Sequence, residues 1–318
     1  MKVLIADKFE KTGVDQLKAL GCTVTQDADL SGESLLGAAA RNGAEVLVVR
    51  STKVAAEVID AAESLKLIIR AGAGYDTIDT AHAAKKNVKV ANCPGMNSTA
   101  VAELAMGHVL ALDRRLVHNA ADLRDGVWNK KEYGKARGLK GRTLGIVGLG
   151  KIGCLIARRA KAFEMDLLYC DLADNREAEA ELGIKRVSME QVLKESDFVS
   201  LHVPGGDKTH HMFSMEQFDM MKPTACLINC SRGGVVDEKA LVEAIESGKI
   251  KGAGLDVYEG EPKASDKEFN NPVANSLMVY GTHHIGASTE QAQLAVADEV
   301  VRIVKTLKEA GEVINCVN

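Results

Sequence analysis

Glycines at 148, 150 and 153 follow the apolar run Leu144-Gly145-Ile146-Val147 with the spacing G-x-G-x-x-G. In that spacing the first glycine permits a tight turn, the second lets the backbone approach a pyrophosphate, and the third lets a helix pack closely on a strand. The amides at the start of that helix then face the phosphates. Asp171 ends the next apolar run, eighteen residues after Gly153. A carboxylate there accepts hydrogen bonds from both adenosine ribose hydroxyls and repels a 2′-phosphate, so the expected cofactor is NAD rather than NADP. Arg176, a few residues on, is read as a surface cation at a helix start.

Three later segments also differ from ordinary scaffold: Asn229-Cys230-Ser231-Arg232-Gly233-Gly234-Val235-Val236-Asp237, Leu255-Asp256-Val257-Tyr258-Glu259-Gly260-Glu261-Pro262, and Thr282-His283-His284-Ile285-Gly286-Ala287-Ser288-Thr289. Each begins where an apolar run stops. Ligands of a doubly wound sheet bind beyond the carboxyl ends of its strands, so all three can converge on one nicotinamide. Taken singly, Arg232 reads better as a surface ion-pair partner, Glu261 as a solvated carboxylate and His284 as a satisfied histidine; their joint occurrence reverses that and favours a site.

The elements that must carry these residues follow from periodicity. Apolar runs at 3–5, 46–49, 67–69 and 88–90 alternate with amphipathic stretches, the pattern of βα units on a parallel sheet. Turn residues at 92–97 break the pattern, and a long helix is expected over 98–116, with Ser98, Thr99 and Glu103 suited to its N-terminus. After a polar stretch at 125–140, a strand at 142–148 feeds the glycines and a helix follows over 154–163. Further strands are expected at 167–170, 198–202, 225–229, 253–257 and 277–280. A last helix over 289–310 is placed to cross back and complete the first domain.

Length and composition set the frame. A chain of 318 residues suits two domains, and its net charge of −4 supplies no basic field for nucleic acid or an anionic membrane surface. Seven cysteines, odd in number and without C-x-x-C spacing, argue against a disulfide framework and a zinc site, so no metal is expected and a reducing cytoplasmic setting fits. The apolar start, Val3-Leu4-Ile5-Ala6, is far too short for a signal-peptide core and is read as a strand. No stretch reaches the roughly 20 apolar residues of a bilayer span. The partner implied is a small molecule.

The glycine loop and the three segments together resemble the D-isomer-specific 2-hydroxyacid dehydrogenases, over 1–310. The resemblance implies two doubly wound α/β domains, a Rossmann NAD-binding domain (98–289) inserted in a flavodoxin-like substrate domain (1–97 with 290–318). It also implies that Arg232 orients the substrate carboxylate and carbonyl, that His284 exchanges the hydroxyl proton, and that Glu261 supports that histidine. These types suit the reaction. Histidine titrates near neutral pH, a carboxylate against its other nitrogen fixes the tautomer, and a guanidinium grips a carboxylate in two places. The implied NAD contacts are Gly148, Gly150, Lys151, Ile152, Gly153, Asp171, His202, Val203, Pro204, Cys230, Ser231, Arg232, Asp256, His284, Gly286 and Ala287. The family usually has proline before its histidine, whereas this chain has His283. His284 keeps the position before Ile285-Gly286-Ala287-Ser288-Thr289 and is the expected acid/base.

Resemblance reaches the first domain as well. There 49–54 and 70–76 look like substrate-facing loops of the family's branch that acts on a phosphorylated acid. Arg50, Lys53 and Arg70 are the candidate phosphate readers, with Ser51, Ala73, Gly74 and Asn97 completing the substrate set; Lys53 reads equally as an exposed surface lysine. The alternatives within the family are glyoxylate and hydroxypyruvate reductases, which need no phosphate pocket. Outside enzymes, the alternative is an NAD-sensing corepressor. The chain resembles a short form without an appended regulatory domain, and the 98–116 helix with the 122–133 arm, including Trp128, resembles the family's homodimer contact.

Overall fold

Strands form where short runs of Val, Ile and Leu are bounded by turn residues, and they stay buried because helices cover both faces of each parallel sheet. The computed structural model describes residues 1–262 and 268–318. Two units divide the chain, Met1–Asn97 with Ala287–Asn318, and Ser98–Gly286. The second boundary follows Gly286 rather than residue 289, because the residues after Gly286 lead directly into the final helix, whose first turn is capped by Thr289 accepting from the Ala292 amide at 3.2 Å.

In the first unit, β1 (Lys2–Ile5), β2 (Thr23–Gln26), β3 (Val46–Val49), β4 (Leu67–Arg70) and β5 (Lys89–Asn92) form a sheet in the order β2-β1-β3-β4-β5. All its pairings are parallel, which makes it flavodoxin-like. Val3, Ile5, Val46, Val48, Leu67 and Ile69 face one side, and Leu4, Leu47, Val49 and Ile68 the other. The Glu290–Ala310 helix lays Val296, Val300, Ile303 and Val304 on the first side, at the spacing of one helical face. Thus the chain does return to its first unit. Strand β2 is absent from the sequence reading because it is an edge strand, Thr-Val-Thr-Gln, with three of its four residues exposed.

In the second unit, β6 (Thr143–Val147), β7 (Asp166–Cys170), β8 (Lys185–Arg186), β9 (Phe198–Leu201), β10 (Cys226–Asn229), β11 (Gly252–Leu255) and β12 (Val279–Gly281) form a sheet in the order β12-β11-β10-β9-β6-β7-β8. Again every pairing is parallel. This is the Rossmann order extended by one strand, and the order reverses between β6 and β9, where such sheets bind their ligands. Phe198 and Ile228 pack toward the Ser98–Arg114 and Lys151–Ala162 helices, while Val199 and Leu227 pack on the opposite face with Phe213 and Phe218. Each such burial contributes about 1.5–3 kcal/mol, which fixes where the strand-end loops start. The exposed two-residue β8 gave no apolar signal.

The long helix stops at Arg114, short of the expected residue 116. Arg115 takes a left-handed φ of 51° and pairs with Glu132 at 2.6 Å, and a second helix, Leu116–Arg124, leaves from it. Among the described residues no helix is long and apolar enough to cross a membrane.

Candidate active site

The glycine loop connects β6 to the Lys151–Ala162 helix at the switch point. Gly148 has a φ of +94°, and a Cβ there would stand 2.6 Å from the His202 carbonyl oxygen. At Gly153 a Cβ would meet the Gly148 carbonyl oxygen at 2.3 Å, so helix and loop touch backbone to backbone. Gly150 differs: nothing lies within 4 Å of its would-be Cβ, and no side chain caps the helix it begins. The loop is closed on the protein side and open where a pyrophosphate would lie. Asp171, at the end of β7, accepts from the Leu149 amide at 2.7 Å and the Leu172 amide at 2.6 Å, which aims its carboxylate along the loop. These residues fit a dinucleotide.

The sequence reading did not single out Asn175, although its side chain donates to the Leu149 carbonyl at 3.1 Å and caps the next helix through the Ala178 amide. Lys151 and Ile152 open the helix, and Ile152 packs on the core. His202, Val203 and Pro204 follow β9, with Val203 Cγ1 at 3.2 Å from the would-be Gly148 Cβ. His202 Nε2 meets Ser200 Oγ at 2.9 Å, and Nδ1 is buried without a hydrogen-bond partner among the described residues. Burial pushes its pKa down to about 4.

The catalytic candidates all lie in this unit. His284 Nδ1 and Glu261 Oε2 are 2.6 Å apart. Burial pushes the Glu261 carboxyl up, but hydrogen bonds from His284 and the Tyr258 amide, with the charges of His284 and Arg232, outweigh it and hold it below the ordinary carboxylate value. His284 has a φ of +52°, a left-handed conformation uncommon outside glycine. Asp256, 2% exposed, supports it: Oδ1 accepts from Thr282 Oγ1 at 2.6 Å and the Ile285 amide at 2.8 Å, and Oδ2 accepts from the Gly286 amide at 2.7 Å. Asp256 therefore clamps the histidine loop and retains acceptor capacity for the NAD contact that the resemblance implies. His283 is exposed, and it is His284 that meets the glutamate.

Arg232 begins a short turn after β10, and Arg232 Nη1 donates to the Ser231 carbonyl at 2.8 Å. A Cβ on Gly233 would stand 2.0 Å from the Tyr258 carbonyl oxygen, so only glycine lets the arginine loop press against the loop of Glu261. Two positioning residues escaped the sequence reading. Buried Asn229 accepts from the Ser231 amide and hydroxyl at 3.0 and 2.7 Å and donates to the Arg232 carbonyl at 2.9 Å. Buried Glu238 accepts from the Glu259 amide at 2.7 Å. Asparagine at a strand end and glutamate in a helix start are too common to stand out. Cys230 is buried and its thiol pushed up by that burial, which leaves it inert.

The substrate candidates lie in the other unit, at the carboxyl ends of β3, β4 and β5, and of the implied NAD contacts Ala287 also falls in that unit, at the start of its last segment. Asp7, not foreseen, ties the β3 loop: its carboxylate accepts from the amides of Arg50, Ser51 and Thr52 at 2.6, 3.2 and 3.2 Å and from Ser51 Oγ at 3.0 Å. Arg50 Nη2 reaches Ser288 Oγ at 3.1 Å, Lys53 is exposed, and Arg70 folds back over Gly72. Asn92 donates to the Ala73 carbonyl at 2.6 Å, beside Gly74. Asn97 Oδ1 is buried with no hydrogen-bond partner among the described residues.

Comparison with known proteins points the same way. Residues 106–286 match the family model described as D-isomer specific 2-hydroxyacid dehydrogenase, NAD binding domain. The whole chain is 41% identical to D-3-phosphoglycerate dehydrogenase of Methanocaldococcus jannaschii, and spans 59% of that relative's length. It is 44% identical to hydroxypyruvate reductase of Thermotoga maritima, over 84% of this chain and 85% of that one. A solved Thermus thermophilus protein superposes with a TM-score of 0.90 at 33% identity, covering both chains fully.

Proposed function

The chain belongs to the D-isomer specific 2-hydroxyacid dehydrogenases, and from that premise we propose that it is an NAD-dependent D-3-phosphoglycerate dehydrogenase. The reaction oxidises 3-phosphoglycerate to 3-phosphohydroxypyruvate and serves L-serine biosynthesis. The observation that carries the chemistry is the 2.6 Å contact between His284 Nδ1 and Glu261 Oε2. It leaves Nε2 to take the hydroxyl proton while the carboxylate stabilises the imidazolium that results. Arg232 grips the substrate carboxylate with its planar fork. Bound NAD supplies the hydride acceptor.

Support for a phosphorylated substrate comes from Arg50, Lys53 and Arg70 on neighbouring strand ends of the first unit, and from the 41% identity to a phosphoglycerate dehydrogenase. A second reading has its own observation. The 44% identity to a hydroxypyruvate reductase spans most of both chains and favours an unphosphorylated acid. Following NADH absorbance with 3-phosphoglycerate, hydroxypyruvate, glyoxylate and D-lactate separates them. A kcat/KM for 3-phosphoglycerate or its product at least about tenfold above the others, lost in Arg50→Ala, is expected; the reverse ranking establishes the reductase. We further propose a homodimer through the 116–128 face, where Leu116, Val117, Leu123, Val127 and Trp128 are exposed, Trp128 at 79%.

A further inference from the structure

His210, His211 and Glu259 bring their ligand atoms within 4.8 Å of one another, and none of them is among the catalytic candidates Arg232, Glu261 and His284. The two rings stack with centroids 4.0 Å apart, and His211 Nε2 lies 2.6 Å from Glu259 Oε1. Asp237 Oδ2 stands 3.9 Å from the other nitrogen of His211, too far for a hydrogen bond but adding a second negative charge beside the ring. Gly234 leaves room among them: a Cβ there would lie 3.4 Å from His210 Nδ1 and 3.9 Å from Glu259 Oε1.

The backbone beneath is fixed. The His211 amide donates to the Gly234 carbonyl at 2.8 Å, the Phe213 amide to the Val235 carbonyl at 3.0 Å, and the Glu259 amide to Glu238 Oε1 at 2.7 Å. Two imidazoles and one carboxylate form a donor set for borderline divalent ions, and the exposed side of His210 would leave the remaining positions to solvent. We propose that this cluster binds one ion of the Zn²⁺, Co²⁺ or Ni²⁺ class and staples the segment after β9 to the loop after β11 that carries Glu261. The sequence reading expects no metal on its cysteine pattern alone; adjacent histidines and a glutamate 48 residues beyond His211 carry no familiar ligand spacing that would have drawn notice.

The test is a Co²⁺ titration of the metal-free protein, followed by calorimetry and visible absorbance. One equivalent per chain should bind with ligand-field bands and no thiolate charge-transfer band, and should raise the thermal midpoint. His210→Ala and His211→Ala should each weaken binding by at least about tenfold, whereas His284→Ala should leave it unchanged. His210 is exposed, so its variant keeps the fold, and melting in metal-free buffer verifies this. The proposal is overturned if no saturable equivalent binds, if both histidine variants bind as wild type does, or if binding is lost in His284→Ala.

Discussion

His202 closes the strand beside the glycine loop with one ring nitrogen on Ser200 and the other buried. Because burial holds its folded pKa at about 4, the folded chain refuses a proton that the unfolded chain, at roughly 6.5, accepts. Between those values the unfolded state binds more protons, so stability rises with pH across the window and falls on acidification. The contribution is on the order of 3 kcal/mol across the full window. His202→Gln should flatten the dependence of the urea midpoint between about pH 4 and 6.5. An unchanged slope would show that His202 titrates normally. Residues of this kind are half legible in a sequence. The family pattern marked His202 as a cofactor contact, but its buried nitrogen depends on packing that no motif encodes.

At the scale of the element, the glycine loop was legible because each glycine answers a local steric demand. Gly153→Ala places a methyl 2.3 Å from a carbonyl oxygen that cannot rotate away. Helix and loop must separate, at a cost of about 1–3 kcal/mol. Thermal melting should show that loss, and a fluorescence titration should show NADH affinity down by about tenfold or more; wild-type affinity would mean the close contact does not shape the phosphate site. The interior strands were legible for a similar reason, since burial on both faces demands unbroken apolar runs. Strands β2 and β8 were not, because an edge carries polar residues, and the helix break at Arg115 is set by contacts with Glu132 and the ring of Tyr133. Asp7, Asn229 and Glu238 stayed hidden because each works on backbone amides brought close only by the fold.

For the whole molecule, the parallel sheets and the final helix returning to the first unit followed from the alternation of apolar runs and helical stretches, whereas the two sheet orders followed from the family resemblance alone. Association is less legible, because exposure must be known before an apolar stripe can be told from core. Trp128→Glu should convert a dimer to monomer in sedimentation velocity; a wild-type protein that sediments as a monomer at every concentration would refute the dimer. The proposed activity rests on one histidine of two neighbours. The most direct measurement compares turnover of the preferred 2-hydroxy acid by His284→Ala and His283→Ala, with NADH binding measured in both. His284→Ala should lose about 10²–10⁴-fold in kcat while still binding NADH, and His283→Ala should keep most of its turnover. Near-normal turnover by His284→Ala, or the reverse pattern, would contradict the account.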